Sequence, residues 1–228
     1  MNRFTSHIPA SSLVISCQAY APNPLRDSGV MALMARAAEL GGAVAIRANS
    51  VEDVRAIAAA VSVPIIGIDK VGTEGVFITP DAETALGLVA AGARIVAMDG
   101  TLRRRPNGRT FAEEVALIRE ASDVAIMADV DTLEAGVAAA LAGADAVATT
   151  LSGYTGTRAP LDPDIELVAA LAGEVDVPVV AEGRYRTRED IAAAIAAGAH
   201  AVVVGTAVTN PLSQTAYLRG ALPEPDAP

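Results

Sequence analysis

Four apolar runs in this chain end on side chains that can do chemistry. Lys70 follows PIIGID, Glu182 follows PVVA, Arg47 closes AVAIR and Asp129 closes AIMAD. Lysine and glutamate with ionisation biased by partial burial make a proton-transfer pair. For Lys70 that role needs a pKa lowered by roughly 3 units, within the reach of burial. The alternative is a solvent-facing loop lysine. A buried, unpaired carboxylate at Glu182 would be costly unless used. Arg47 and Asp129 carry two readings: a structural pair across the fold, or a guanidinium and a carboxylate that hold sugar hydroxyls or an amide. Asp129 and Asp131 form a D-x-D, but neither histidine stands at ligand spacing, so a non-metal site is expected.

These residues need elements to carry them to one place. The stretch 177–209, VPVVAEGRYRTREDIAAAIAAGAHAVVVGTAVT, reads as strand, turn, helix and strand. Thr187, Glu189 and Asp190 open the helix and Gly198 closes it. Earlier strands are expected at 13–18, 43–47, 64–69, 94–99, 125–129 and 146–151. The remaining helices fall at 30–40, 51–60, 81–91, 111–121, 132–142, 163–172 and 209–218. Helix endings ELGGA, AAGAR, LAGAD and AAGAH place glycines at 42, 92, 143 and 198, so a two-strand, two-helix unit recurs four times. Eight successive units favour one closed (β/α)8 TIM barrel over an open doubly wound sheet. The barrel would span 13–219, between an N-terminal segment 1–12 and a disordered tail 220–228.

Right-handed crossovers put every post-strand residue on one rim. That rim gathers Gln18, Arg47, Lys70, Asp99, Asp129, Thr150, Ser152, Tyr154 and Glu182. The turns Gly183-Arg184 and Gly205-Thr206 follow the seventh and eighth strands, where barrels often hold a phosphate against backbone N–H groups. Arg103, Arg104 and Arg105, with Arg109, read as a solvated loop or as a lid over an anion. Cys17 and His200 read as core or edge residues.

Composition narrows the class. Residues are 52% hydrophobic but only 3% aromatic, which suits buried parallel strands under Ala-faced helices. A net charge of −10 argues against nucleic-acid binding. A single cysteine excludes an intrachain disulfide, and the N-terminus has no signal-peptide pattern, so a cytoplasmic protein is expected. The uncharged run 191–208 reaches membrane-span length yet divides at Gly198 into helix and strand. Ala-rich outer helices can support a homodimer.

Several collinear segments resemble the N-acetylmannosamine-6-phosphate 2-epimerase family of sialic acid catabolism: SCQA (16–19), IRANSVEDV (46–54), PIIGIDK (64–70), ITP (78–80), MADVDTLEAG (127–136), TTLSGYT (149–155), AEGR (181–184) and AHAVVVG (199–205). The resemblance implies a TIM barrel that acts on a phosphorylated amino sugar without a redox cofactor. It also implies proton transfer by Lys70 and Glu182, contacts from Gln18, Arg47 and Asp129 to the sugar and its N-acetyl group, and phosphate binding at Gly183, Arg184, Gly205 and Thr206. The chain departs from the family pattern in DGTLRRRP (99–106), with Leu102 for a lysine and Arg104 for a proline, and in Gly205-Thr206 for two glycines. From the residues alone, a Schiff-base aldolase using Lys70 and a non-catalytic sugar-phosphate binder are the rival readings.

Overall fold

The structure, a computed structural model, describes residues 2–156 and 161–222. Eight parallel strands form a closed barrel in sequence order: β1 (Ser12–Cys17), β2 (Ala45–Asn49), β3 (Ile65–Ile68), β4 (Ile95–Asp99), β5 (Ala125–Asp129), β6 (Ala146–Ala148), β7 (Val179–Glu182) and β8 (Ala201–Val204). β1 pairs with both β2 and β8, Val14 lying opposite Ala45 on one side and Val203 on the other, which closes the ring. The TIM barrel expected from the repeat is therefore the fold.

Helices α1 (Ser28–Leu40), α2 (Val51–Ala58), α3 (Ala82–Ala91), α4 (Phe111–Ala121), α5 (Leu133–Leu141), α6 (Ile165–Glu174) and α7 (Arg188–Ala196) cover the outside. The four repeated glycines share one cause. Gly42, Gly92, Gly143 and Gly198 all take φ between 97° and 117°, the left-handed conformation that ends a helix at least cost.

Two helix expectations shift. The helix placed at 163–172 begins at Ile165, because Asp164 turns its carboxylate back onto the N–H of Leu167 at 2.9 Å and so caps it. The helix placed at 209–218 is two elements, α8 (Thr206–Thr209) and α9 (Pro211–Arg219). Pro211 cannot donate a backbone hydrogen bond, and Asn210 starts α9 by accepting from the N–H of Ser213 at 3.1 Å. Of the tail expected at 220–228, residues 223–228 lie outside the described residues.

Period-two alternation divides the core. One cluster, which includes Ile15, Ile46, Val96, Ile126, Val147 and Val202, packs strands against helices. The other fills the barrel with Val14, Ala45, Ile66, Ile68, Ile95, Ala97, Met127, Ala148, Val180 and Val203. Phe4 and Ile8 belong to this inner set and are fully buried, so residues before β1 close the N-terminal end. His200 joins that closure. Its Nε2 lies 2.9 Å from the carbonyl of Ile8, and its ring meets Phe4 edge-on at 6.0 Å.

The inner alternation also predicts what stands at the other end. Two residues beyond Ala45, Ile68, Met127, Ala148, Val180 and Val203 come Arg47, Lys70, Asp129, Thr150, Glu182 and Gly205. The same parity that fills the barrel with apolar groups delivers these to its C-terminal mouth.

Candidate active site

A cavity of about 490 Å³ opens at that mouth. Its lining includes Gln18, Tyr20, Lys70, Thr150, Tyr154, Glu182, Gly183, Arg184, Gly205 and Thr206. A second cavity, of about 640 Å³, lies beside it over α1 and α2 and shares Tyr20, Lys70 and Phe77 as a common wall. Of the two, the smaller contains both Lys70 and Glu182.

Both proton-transfer candidates sit on held backbone. The N–H of Lys70 donates to Asn49 Oδ1 at 3.1 Å, and Lys70 forms an antiparallel bridge with Ile78. Glu182 is fixed from β6, since its N–H donates to Thr149 Oγ1 at 3.1 Å while that hydroxyl donates to the Glu182 carbonyl at 2.9 Å. Such placement limits the freedom a reacting group would otherwise lose in the transition state.

Beneath them lies a buried charge group. Arg47 grips Asp129 with two parallel bonds, Nη1 to Oδ1 at 3.0 Å and Nη2 to Oδ2 at 2.6 Å. Thr150 Oγ1 donates to the same Oδ1 at 2.7 Å. Arg47 Nη1 also lies 3.0 Å from Glu182 Oε2, an ion-pair distance, but the alignment is too poor for a hydrogen bond. Glu182 Oε2 and Arg47 Nε therefore remain buried without a hydrogen-bond partner. Burial works against the charge of Arg47, but Asp129 and Glu182 more than offset it, so its proton is held more tightly than in water.

These surroundings move both titrations toward neutrality. Burial, reinforced by the Arg47 cation, lowers the Lys70 ammonium to about 8. Burial raises Glu182 to about 7, opposed by Arg47 and helped by Asp129. Near neutral pH each group can give or take a proton at modest cost.

Not every expected residue reaches the cavity in a free state. Ser152 is a correction: its hydroxyl donates to Asp164 Oδ2 at the start of α6, and it is 3% exposed and absent from the cavity wall. Arg184 lines the wall, yet its guanidinium is fastened to the carbonyls of Asp162 at 2.6 Å and Ser152 at 2.7 Å. Gln18 lines it with both amide ends occupied, Nε2 by Ser16 Oγ at 2.6 Å and Oε1 by the Tyr20 hydroxyl. A Cβ at Gly205 would come 3.2 Å from that of Ser16, a tight contact that favours glycine there.

The D-x-D diverges, Asp129 toward Arg47 and Asp131 toward Thr155 Oγ1 at 2.8 Å. Among the described residues no three His, Cys, Asp or Glu side chains gather as a metal-binding set, and no helix is long and apolar enough to cross a membrane. The arginine loop is neither solvated throughout nor a lid. Arg105 is 3% exposed, and none of Arg103, Arg104 and Arg105 lines the cavity.

Sequence reasoning missed Tyr20, whose ring lies 4.5 Å from Lys70 Nζ in a cation–π contact. Its only signal was position, two residues beyond Gln18 at the rim. Arg186, Thr209 and Asn210 were missed as well, because they reach the wall from beyond the strand ends, Thr209 as the last residue of α8.

Comparison with known proteins agrees with this geometry. Residues 31–221 match the family model NanE, described as N-acetylmannosamine-6-phosphate epimerase. A relative from Cutibacterium acnes, named N-acetylmannosamine-6-phosphate 2-epimerase, is 49% identical over 97% of this chain and 100% of its own. One of the same name from Caldanaerobacter subterraneus is 47% identical over 88% and 86%. The solved N-acetylmannosamine-6-phosphate 2-epimerase of Clostridium perfringens superposes with a TM-score of 0.90 at 38% identity, covering 94% of this chain and 95% of that one. A thiamine phosphate pyrophosphorylase from Pyrococcus furiosus, at 18% identity and TM-score 0.60, shares the fold alone. The chain belongs to the N-acetylmannosamine-6-phosphate epimerase family.

Proposed function

We propose that the chain interconverts N-acetylmannosamine 6-phosphate and N-acetylglucosamine 6-phosphate by removing and returning the proton at C2. The observation that carries this reading is the pairing in one cavity of Lys70, lowered to about 8, with Glu182, raised to about 7. Family membership supplies the substrate, for which the relatives are named.

Ring opening exposes a C1 aldehyde that acidifies the C2–H bond. Neutral Lys70 Nζ takes the C2 proton, and the bonding pair moves into an enolate whose charge rests on O1. Glu182, protonated, delivers a proton to the opposite face of C2. The enolate electrons return, the aldehyde re-forms and the ring closes with C2 inverted. A backbone N–H steadies the enolate oxygen, while Arg47, buried against Asp129, acts from beneath the cavity through its charge. The phosphate, held at the Gly183-Arg184 and Gly205-Thr206 turns, orients the reacting carbon from a distance. First-turn N–H groups of a helix have no intrahelical partner, and at α8 they adjoin Thr206.

A coupled assay with N-acetylmannosamine 6-phosphate tests the activity, and the same reaction in D₂O tests the route. Deuterium is expected at C2, and product that keeps the original C2 hydrogen overturns direct deprotonation. Borohydride treatment during turnover is expected to trap nothing on Lys70, whereas a reduced adduct would favour Schiff-base chemistry.

A cytoplasmic site of action follows from a charged substrate that does not cross membranes unaided. Leu33 and Leu40 on α1, 73% and 74% exposed, offer a face for a homodimer, which light scattering tests.

A further inference from the structure

The cavity presents three cations to a bound sugar phosphate: Lys70, Arg184 and Arg186. Lys70 stands at the proton-transfer end. Arg184 is the expected phosphate ligand, but part of its guanidinium is already engaged. It bonds two main-chain carbonyls and lies 5.2 Å from the centre of the Tyr154 ring. Arg184 also takes a left-handed φ of 67°, which fixes its backbone in an unusual conformation for a residue with a side chain. Swinging it out of these contacts would strand both carbonyls, so it can reach an anion only with the N–H groups they leave free.

Arg186 differs in each respect. Its side chain is exposed, and its guanidinium lies 5.0 Å from the Tyr217 ring of α9. Among the described residues it forms no salt bridge within 4.0 Å. Asp190 is near enough to feel its charge, but Asp190 Oδ2 accepts from the N–H groups of Arg186 and Thr187, at 2.9 Å each. The backbone of Arg186 is thus anchored while its cation is not. Of the other cavity-wall residues, Gly183, Gly205, Thr206, Thr209 and Asn210 bear no charge, and Glu182 is the one carboxylate.

We propose that Arg186, which rests on Tyr217, supplies the positive charge that neutralises the substrate's phosphate, and that Arg184 instead holds the loop after β6. The proposal rests on the epimerase reading, deepening it by naming the cation. Glycine-turn N–H groups provide partial charges for the anion, and Arg186 the full one. An interaction with a remote, unreacting phosphate serves ground state and transition state alike, so its loss appears mainly in KM.

The experiment compares wild type, Arg186→Ala and Arg186→Lys by steady-state epimerisation of N-acetylmannosamine 6-phosphate, with inorganic phosphate as competitive inhibitor. For Arg186→Ala, KM and the inhibition constant for phosphate are expected to rise together by about tenfold or more. The fall in kcat is expected to be smaller, and Arg186→Lys to recover most of the loss. A KM and an inhibition constant within twofold of wild type overturn the assignment. A wild-type protein that fails to epimerise overturns the function instead. Calorimetric titration of inorganic phosphate into wild type and Arg186→Ala then tests the cation by itself, equal affinities counting against it and weaker binding to the variant supporting it. Because Arg186 is exposed, an unchanged melting temperature separates binding from folding.

Discussion

Arg47 and Arg105 are arginines almost removed from solvent, 1% and 3% exposed, and each adjoins an aspartate that ends a strand, Asp129 on β5 and Asp99 on β4. Arg105 donates to the carbonyls of Pro80, at 2.8 Å, and Asp99. Both oxygens of Asp99 are taken, Oδ1 by Thr101 at 2.6 Å and Oδ2 by Arg103 at 2.6 Å. Nothing in that group is left to bind. The Arg47 group pairs Asp129 just as tightly but adds a second carboxylate, Glu182, and leaves two buried polar atoms without hydrogen bonds. Buried charge alone does not mark a site. Unspent hydrogen-bonding capacity facing a cavity does.

The comparison is most easily broken at Lys70, which the unspent group faces. Lys70→Ala is expected to lower kcat by about 10⁴-fold, the upper range for a lost general base, with a much smaller change in substrate affinity measured by titration. A loss under tenfold would reduce Lys70 to a bystander. On the structural side, Arg105→Ala strands two carbonyls and should destabilise by about 3 kcal/mol in urea unfolding. Folded Arg105→Ala should keep kcat within threefold of wild type; a larger loss would erase the distinction between the groups.

Glu182→Gln should cost about 10²-fold in kcat and change the pH profile. With Lys70 required neutral and Glu182 protonated, wild-type kcat/KM rises with pH through about 7, peaks and falls through about 8, the two limbs belonging to the coupled pair. The substitution removes the falling limb. It leaves a single rising limb set by Lys70 alone, below about 8 because the Glu182 carboxylate no longer helps keep Lys70 protonated. An unchanged bell assigns the falling limb elsewhere. The smallest effect is expected at Arg103→Ala, where the side chain is 32% exposed. Its pair with Asp99 should contribute about 1 kcal/mol or less to unfolding and nothing to KM.

The barrel was legible because its two codes are local. Alternation along each strand and a left-handed glycine after alternate helices can be read within ten residues. Lys70, Glu182, Arg47 and Asp129 were legible for the same reason, as the first polar inward positions after apolar ones. What could not be read depends on loop paths. Ser152 looks like a rim hydroxyl until α6 brings Asp164 to it, and Arg184 looks like a phosphate ligand until the same loop offers it two carbonyls. For Arg47 and Asp129, sequence left pairing and substrate contact as alternatives. The structure shows the pair, with Glu182 beside it as the third member.

The closure of the barrel's N-terminal end sets a timetable for synthesis. Translation runs from N- to C-terminus, so Phe4 and Ile8 are made long before His200, which packs on Phe4 and, 192 residues beyond Ile8, meets its carbonyl. Ser11 likewise waits to donate its N–H to the His200 carbonyl at 2.7 Å. These two side chains, among the largest apolar ones of the inner core, therefore lack those partners until β8 is made. Contacts this distant in sequence are slow to form, so the nascent N-terminus is the segment a chaperone would shield.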